Sequence, residues 1–84
     1  MGMRGKRPLR LGRVWAVVEG KVVVEGERVP RLGARVYDSS MKPMGVVSSI
    51  LGPTKRFFIE VKPSRQSGFA EGEPLYIMEG EERG

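Results

Sequence analysis

The chain contains neither cysteine nor histidine. Without cysteine there is no disulfide framework and no zinc–thiolate site, an absence that fits an intracellular protein better than a small secreted one. Without histidine, no Ser–His or Cys–His nucleophile pair can be assembled and imidazole metal sites are excluded. Long apolar runs are missing too. The longest uninterrupted one, VWAVV at residues 14–18, is far short of the roughly 20 residues that a membrane-spanning helix needs. The opening MGMRGKRPLR has basic residues but no apolar stretch behind them, so no secretory signal is read there. Lys6 stands where a myristoylation pattern requires Ser or Thr. The expectation is a soluble intracellular protein, with neither a membrane nor a small-molecule ligand among its partners.

The remaining catalytic patterns are equally thin. Glu19, Glu25 and Glu60 fall in different segments, and Glu71, Glu73, Glu79, Glu81 and Glu82 lie toward a charged end expected to be solvated. A paired-carboxylate mechanism needs two such groups in one cleft. Gly and Lys combine into no phosphate loop, and the glycines form no dinucleotide fingerprint. The residues therefore point away from an enzyme and toward a binding module without a cofactor.

What is present is charge and β-pattern. The 84 residues carry 15 Lys and Arg against 10 Asp and Glu, a net +5. Arg4, Lys6, Arg7 and Arg10 lie within the first ten residues with no acid among them, whereas the last fourteen carry five glutamates against Arg83. A basic balance suits work near nucleic acid, and equally suits a soluble domain with a basic arm. A chain this short makes one domain, burying about 60% of its unfolded surface and leaving a thin stability margin.

Between a basic arm at residues 1–9 and an acidic tail at 79–84, both expected to be flexible, β-branched residues recur in short runs. Gly, Pro, Asp or Ser punctuate them roughly every 8 to 12 residues. Strands are predicted over residues 11–19, 21–25, 34–38, 46–51, 56–62 and 74–78. Val22 and Val24 share a face, as do Phe57, Ile59 and Val61, leaving Arg56, Phe58, Glu60 and Lys62 opposite. Residues 26–33 read as a loop around Pro30, and the cluster from Asp38 to Gly45 as a turn. Ser48 and Ser49 fall on opposite faces, so one is expected to be buried and bonded locally. Six short strands with no helical period predict an all-β, small antiparallel barrel over residues 10–78, closure being the economical way to hide sheet edges.

Two surfaces stand out. Gly52-Pro53 between two apolar strands is either a plain corner or, with Ile50, Leu51 and Phe58 beside it, a rigid apolar docking patch. Lys55 and Arg56 next to Phe57 and Phe58 offer a different reading, a groove for single-stranded RNA. Alternation turns Phe57 inward, however, leaving Phe58 as one stacking ring, with Trp15 and Tyr37 either joining it or serving as core or barrel-edge residues.

The ordered segments LGRV (11–14), LGARVYD (32–38), GVV (45–47), ILGP (50–53), FFIEVKP (57–63) and GEPLYI (72–77) together resemble the archaeal Gar proteins of the H/ACA ribonucleoprotein. The resemblance covers residues 9–78. It implies a six-stranded barrel of the translation-factor second-domain type, with no catalysis of its own. It implies docking, mainly through apolar contacts, on the separate pseudouridine synthase that performs guide-RNA-directed pseudouridylation of rRNA. Gar proteins favour turnover there by assisting substrate loading and product release, a recognised way to raise an overall rate. Guide and substrate RNA are then met mostly indirectly.

The residues matching the family motif are Gly45, Val46, Ile50, Gly52, Pro53 and Phe58, with Val36 and Tyr37 as supports and Leu51 in the apolar corner. Eukaryotic relatives carry long Gly-Arg arms, of which only Arg4-Gly5 hints here, so an arm-poor archaeal form is implied, cytoplasmic in an archaeal cell and nucleolar only in a eukaryotic one. The competing reading is a direct RNA-binding barrel of ribosomal or translational type, using Arg4, Lys6, Arg7, Lys55 and Arg56.

Overall fold

A computed structural model describes residues 6–53, 55–64 and 69–83. Its strands are β1 (Pro8–Val18), β2 (Lys21–Gly26), β3 (Arg35–Tyr37), β4 (Pro43–Leu51), β5 (Phe58–Pro63) and β6 (Pro74–Met78). They form a closed barrel in the order β1-β2-β5-β4-β3-β6, every neighbouring pair antiparallel. The predicted fold class holds. Among the described residues no helix is long and apolar enough to cross a membrane.

Alternation builds the interior. Val22 and Val24 of β2, Ile59 and Val61 of β5, and Leu75 and Ile77 of β6 are fully buried with Leu11, Val36 and Met44, and Phe57 joins their cluster. β1 is long enough to pair with both β2 and β6, and its register shifts twice, between Arg10 and Gly12 on the β6 side and between Val14 and Ala16 on the β2 side. Such irregularities add local bend and twist, which lets one strand serve two sides of a small barrel. The Val14–Ala16 shift also interrupts the two-residue alternation along β1: Val14 is buried but Val18, four residues on, is exposed.

Several boundaries differ from the sequence reading. β1 starts at Pro8 instead of residue 11, because Pro8 and Leu9 pair with Met78 and Ile77. It ends at Val18, since Glu19 and Gly20 both take positive φ in the two-residue turn to Lys21, the geometry a tight hairpin demands. β2 gains Gly26, and β5 runs Phe58–Pro63 where residues 56–62 were expected. β3 is shorter, because Asp38 leaves the strand to hold the next turn: the Ser40 and Lys42 N–H groups donate to its Oδ1 at 2.8 and 3.0 Å. β4 begins at Pro43, so the turn is shorter than expected and Met44 reaches the core. Neither serine is buried. A register shift between Val47 and Ser49 sets both beside Glu60, Ser48 Oγ donating to its carbonyl at 3.0 Å and Ser49 Oγ to its carboxylate at 3.1 Å.

The acidic end, expected to fray, is tied down as far as Arg83. Arg31 N–H donates to Glu81 O and Arg83 N–H to Val29 O, both at 2.8 Å, around a Pro30–Glu82 bridge. Of the expected basic arm, residues 1–5, including Arg4, lie outside the described residues.

Glu82 anchors this closure through its side chain. The Gly80 N–H, donating at 2.8 Å, holds its carboxyl below the ordinary glutamate range, helped by its own backbone N–H and by the Arg28 guanidinium. A lowered folded pKa stabilises the fold above the unfolded value of about 4.3 and loses that effect as pH falls further. Acid titration should therefore release the Gly80 amide, seen as an upfield shift and faster exchange below that pH. Glu82→Gln should remove the step; an unchanged step in that variant would assign the titration to another group.

Candidate partner-binding face

At the end of β4 the chain makes a corner. Gly52 takes φ +99, a conformation that favours glycine, and a Cβ there would crowd the Arg56 carbonyl at 3.0 Å. Pro53 follows, its carbonyl accepting from the Arg56 N–H at 3.1 Å, and Gly52, Pro53, Lys55 and Arg56 are all exposed. Leu51, opposite Phe58 in the β4–β5 ladder, is 48% exposed. Ile50 pairs with Ile59 and packs against the core beneath.

Phe58 does not stand alone on this surface. The Trp15 ring lies over it, centroids 5.1 Å apart at an interplanar angle of 52°. Trp15 belongs to β1 and Phe58 to β5, with β2 between them, so the indole reaches across a whole strand. Tilted aromatic pairs of this kind contribute about 0.5–1.5 kcal/mol beyond burial, which holds the rings as a unit. Trp15 nevertheless remains 53% exposed. Trp15, Phe58, Leu51 and Pro53 thus form one apolar strip over strands β1, β5 and β4.

Charge surrounds the strip. Arg56 Nε lies 3.8 Å from a Glu25 carboxylate oxygen, and Lys21 Nζ lies 3.5 Å from Glu60. Lys55 is exposed beside the corner, and Arg13 and Glu71 flank Trp15 in a shallow depression. An apolar centre with a charged rim is the usual anatomy of a protein–protein contact.

The other predicted site residues lie elsewhere. Tyr37 pairs with Pro43 at the start of β4, whereas Phe58 pairs with Leu51 at its end, about 25 Å apart at roughly 3.3 Å per residue. Tyr37 is half-buried, lining a groove with Lys6, Arg35 and Met78. Gly45 is buried in the barrel wall against Lys62 and Pro63, and Val46, 40% exposed, sits between Arg35 and Lys62. Lys6 and Arg7 are exposed at the β1 entrance, away from Lys55 and Arg56. The sequence-derived set therefore divides: Ile50, Leu51, Gly52, Pro53 and Phe58 come together, joined by Trp15, while Tyr37, Gly45 and Val46 gather at the opposite end of β4. The sequence left Trp15 open between this surface and the core or barrel edge; its exposure and its approach to Phe58 depend on how β2 spaces their strands.

A family model described as the Gar1/Naf1 RNA binding region matches residues 9–83, nearly the whole chain. The chain belongs to the Gar1/Naf1 family. The resemblance to archaeal Gar proteins is thereby borne out. An uncharacterized protein of Methanothermobacter thermautotrophicus is 36% identical over 64 residues, covering 70% of each chain. The H/ACA ribonucleoprotein complex subunit GAR1 of Chaetomium globosum is 30% identical over 74 residues, covering 82% of this chain. The corresponding subunit of Neosartorya fischeri is 28% identical over the same length. The chain spans 35% of the length of each of these fungal relatives. Membership of the Gar1/Naf1 family gives the apolar strip its context, since the matched region includes both aromatic rings and the Gly-Pro corner.

Proposed function

We propose that this Gar1/Naf1-family barrel is a noncatalytic subunit of the H/ACA ribonucleoprotein that binds the pseudouridine synthase. There it promotes guide-RNA-directed pseudouridylation of rRNA by assisting substrate loading and product release. The observation that carries the reading is the exposed apolar strip of Trp15, Phe58, Leu51 and Pro53, rimmed by charge, on a chain whose relatives include named H/ACA subunits. Preorganised aromatic and proline surface binds at low ordering cost, so docking needs no RNA.

A second reading, direct RNA binding, draws support from the two rings beside Lys55 and Arg56 and from the name of the matched region. Salt separates them. Phosphate-driven affinity falls steeply between about 50 and 200 mM salt, whereas an apolar interface barely responds.

Calorimetric titration of the chain into an archaeal H/ACA pseudouridine synthase without RNA, and into guide RNA alone, is the test. Salt-tolerant binding to the synthase is expected, accompanied by a blue shift and reduced quenching of Trp15, the sole tryptophan. Binding confined to RNA and lost with salt would replace the proposal with the second reading.

A further inference from the structure

The edge of β4 beyond Val47 is open. β3 pairs with β4 only as far as Arg35 opposite Val46, and the contact closes with two backbone bonds of 2.9 Å, Gly33 N–H to Val47 O and Val47 N–H to Ala34 O. On its other side β4 continues along β5 to Leu51 opposite Phe58. Among the described residues, no backbone hydrogen bond reaches Ser48, Ser49, Ile50 or Leu51 from the β3 side.

The direction of the free groups follows from the ladder. Gly26 N–H donates to Phe57 O, so Phe57 bonds toward β2, and the two-residue period gives Ile59 the same direction. Ile50 stands opposite Ile59; with the Ile59 groups turned to β2, the pair is non-hydrogen-bonded. The Ile50 N–H and C=O therefore face the open side. Unpaired strand edges of this kind are templates for an incoming strand.

A cleft of about 630 Å³ lies along this edge, walled on the far side by Arg31, Leu32 and Arg83. The wall is built, not loose: the bonds from Arg31 to Glu81 and from Arg83 to Val29 fix it. Leu32 is 68% exposed beside Ile50, giving the cleft an apolar floor and lip. No acid lines it. Arg10, Lys21, Arg28 and Arg56 each meet a glutamate, but Arg31 and Arg83 have no carboxylate partner among the described residues.

We propose that this cleft accepts an extended, acidic segment of the protein partner as a short strand added to β4, its backbone exchanging bonds with Ile50 and its carboxylates meeting Arg31 and Arg83. A peptide fits better than RNA, because the edge presents an N–H and a C=O side by side, which the repeating N–H and C=O of an extended peptide match in spacing, whereas the donors of RNA lie on its 2′-hydroxyls and bases in no such repeat. The cleft shares β4 with the strip at Leu51 and Pro53, so one partner spans both. The inference rests on the synthase-docking reading.

The test is amide exchange at Ile50 in the chain bound to the synthase, together with the affinity of Arg31→Glu/Arg83→Glu. Protection of the Ile50 amide by at least roughly tenfold on binding, and a loss of affinity of at least roughly tenfold on charge reversal, are expected. Should the reversal unfold the barrel, Arg31→Gln/Arg83→Gln serves in its place. A complex that forms and is lost with Phe58→Glu, yet leaves Ile50 exchange unchanged, overturns the added strand while the docking reading stands. Protection without any charge effect overturns the acidic occupant and the proposal with it. Protection by guide RNA alone assigns the cleft to nucleic acid and overturns it as well. No complex at all removes the docking reading and this inference together.

Discussion

Phe58→Glu is expected to weaken binding to the pseudouridine synthase by at least about a hundredfold, since a desolvated unpaired carboxylate costs roughly 3–5 kcal/mol and each 1.4 kcal/mol is tenfold. The ring is half-buried beside an exposed Trp15, at the centre of the strip and not on its rim, the position from which truncations act most strongly. The fold should survive. Phe58 lies directly opposite Glu25, so a second carboxylate adds like-charge repulsion of about 0.2–1 kcal/mol and forfeits the ring pair. Leu51→Glu provides the check: Leu51 is exposed and outside the core, and its replacement should weaken binding comparably with an unchanged melting temperature. Gly52 is a poor probe, because any side chain there strains the φ +99 corner itself. Tyr37→Ala, at the other end of β4, should leave affinity unaltered. If Phe58→Glu and Leu51→Glu both bind the synthase like the parent chain in calorimetry, the strip is not the docking face.

The strand interiors were legible because burial on one face imposes a two-residue period that survives without context: Val22 and Val24, Phe57, Ile59 and Val61 all face the core as the pattern requires. The ends were less legible. Pro8 and Pro43 open strands that were expected to start later, and Pro63 closes one a residue beyond its expected end, whereas Pro74 opens β6 as predicted; proline reads as a breaker, yet the first residue of a strand is where its missing N–H is tolerated. The acidic end misled for another reason. Its side chains are solvated as their composition suggests, but it is held by backbone bonds to residues 29–31, and backbone pairing leaves little trace in composition. The candidate site was half legible. The Gly-Pro corner and Phe58 are local, whereas the Trp15 contact and the open edge at Ile50 exist only once the strand order and the register shift before Ser49 are set.

That division matters for the family motif, which runs through Gly45 and Gly52 within one strand and its corner. The two glycines do different work, and Gly45→Ala separates them. A Cβ at Gly45 would collide with the Lys62 carbonyl and come within 2.9 Å of the Pro63 Cα. Both are backbone of the paired strand, so relief requires moving β5 and not a side-chain tip. Overpacking of this kind costs about 1–3 kcal/mol and occasionally more, against a total stability of roughly 4–12 kcal/mol for a chain this size. At about 4–8 °C per kcal/mol, the upper part of that range lowers the melting temperature by roughly 10–20 °C. Gly20→Ala is the contrast: a Cβ there meets nothing within 4 Å, leaving only the strain of φ +80, about 1–2 kcal/mol. With synthase affinity measured well below its melting temperature, Gly45→Ala should bind as the parent does, because the residue is buried and presents no side chain to a partner. A variant that melts normally but no longer binds would instead place the docking face over the β4–β5 wall at Gly45 and Val46, away from the aromatic strip.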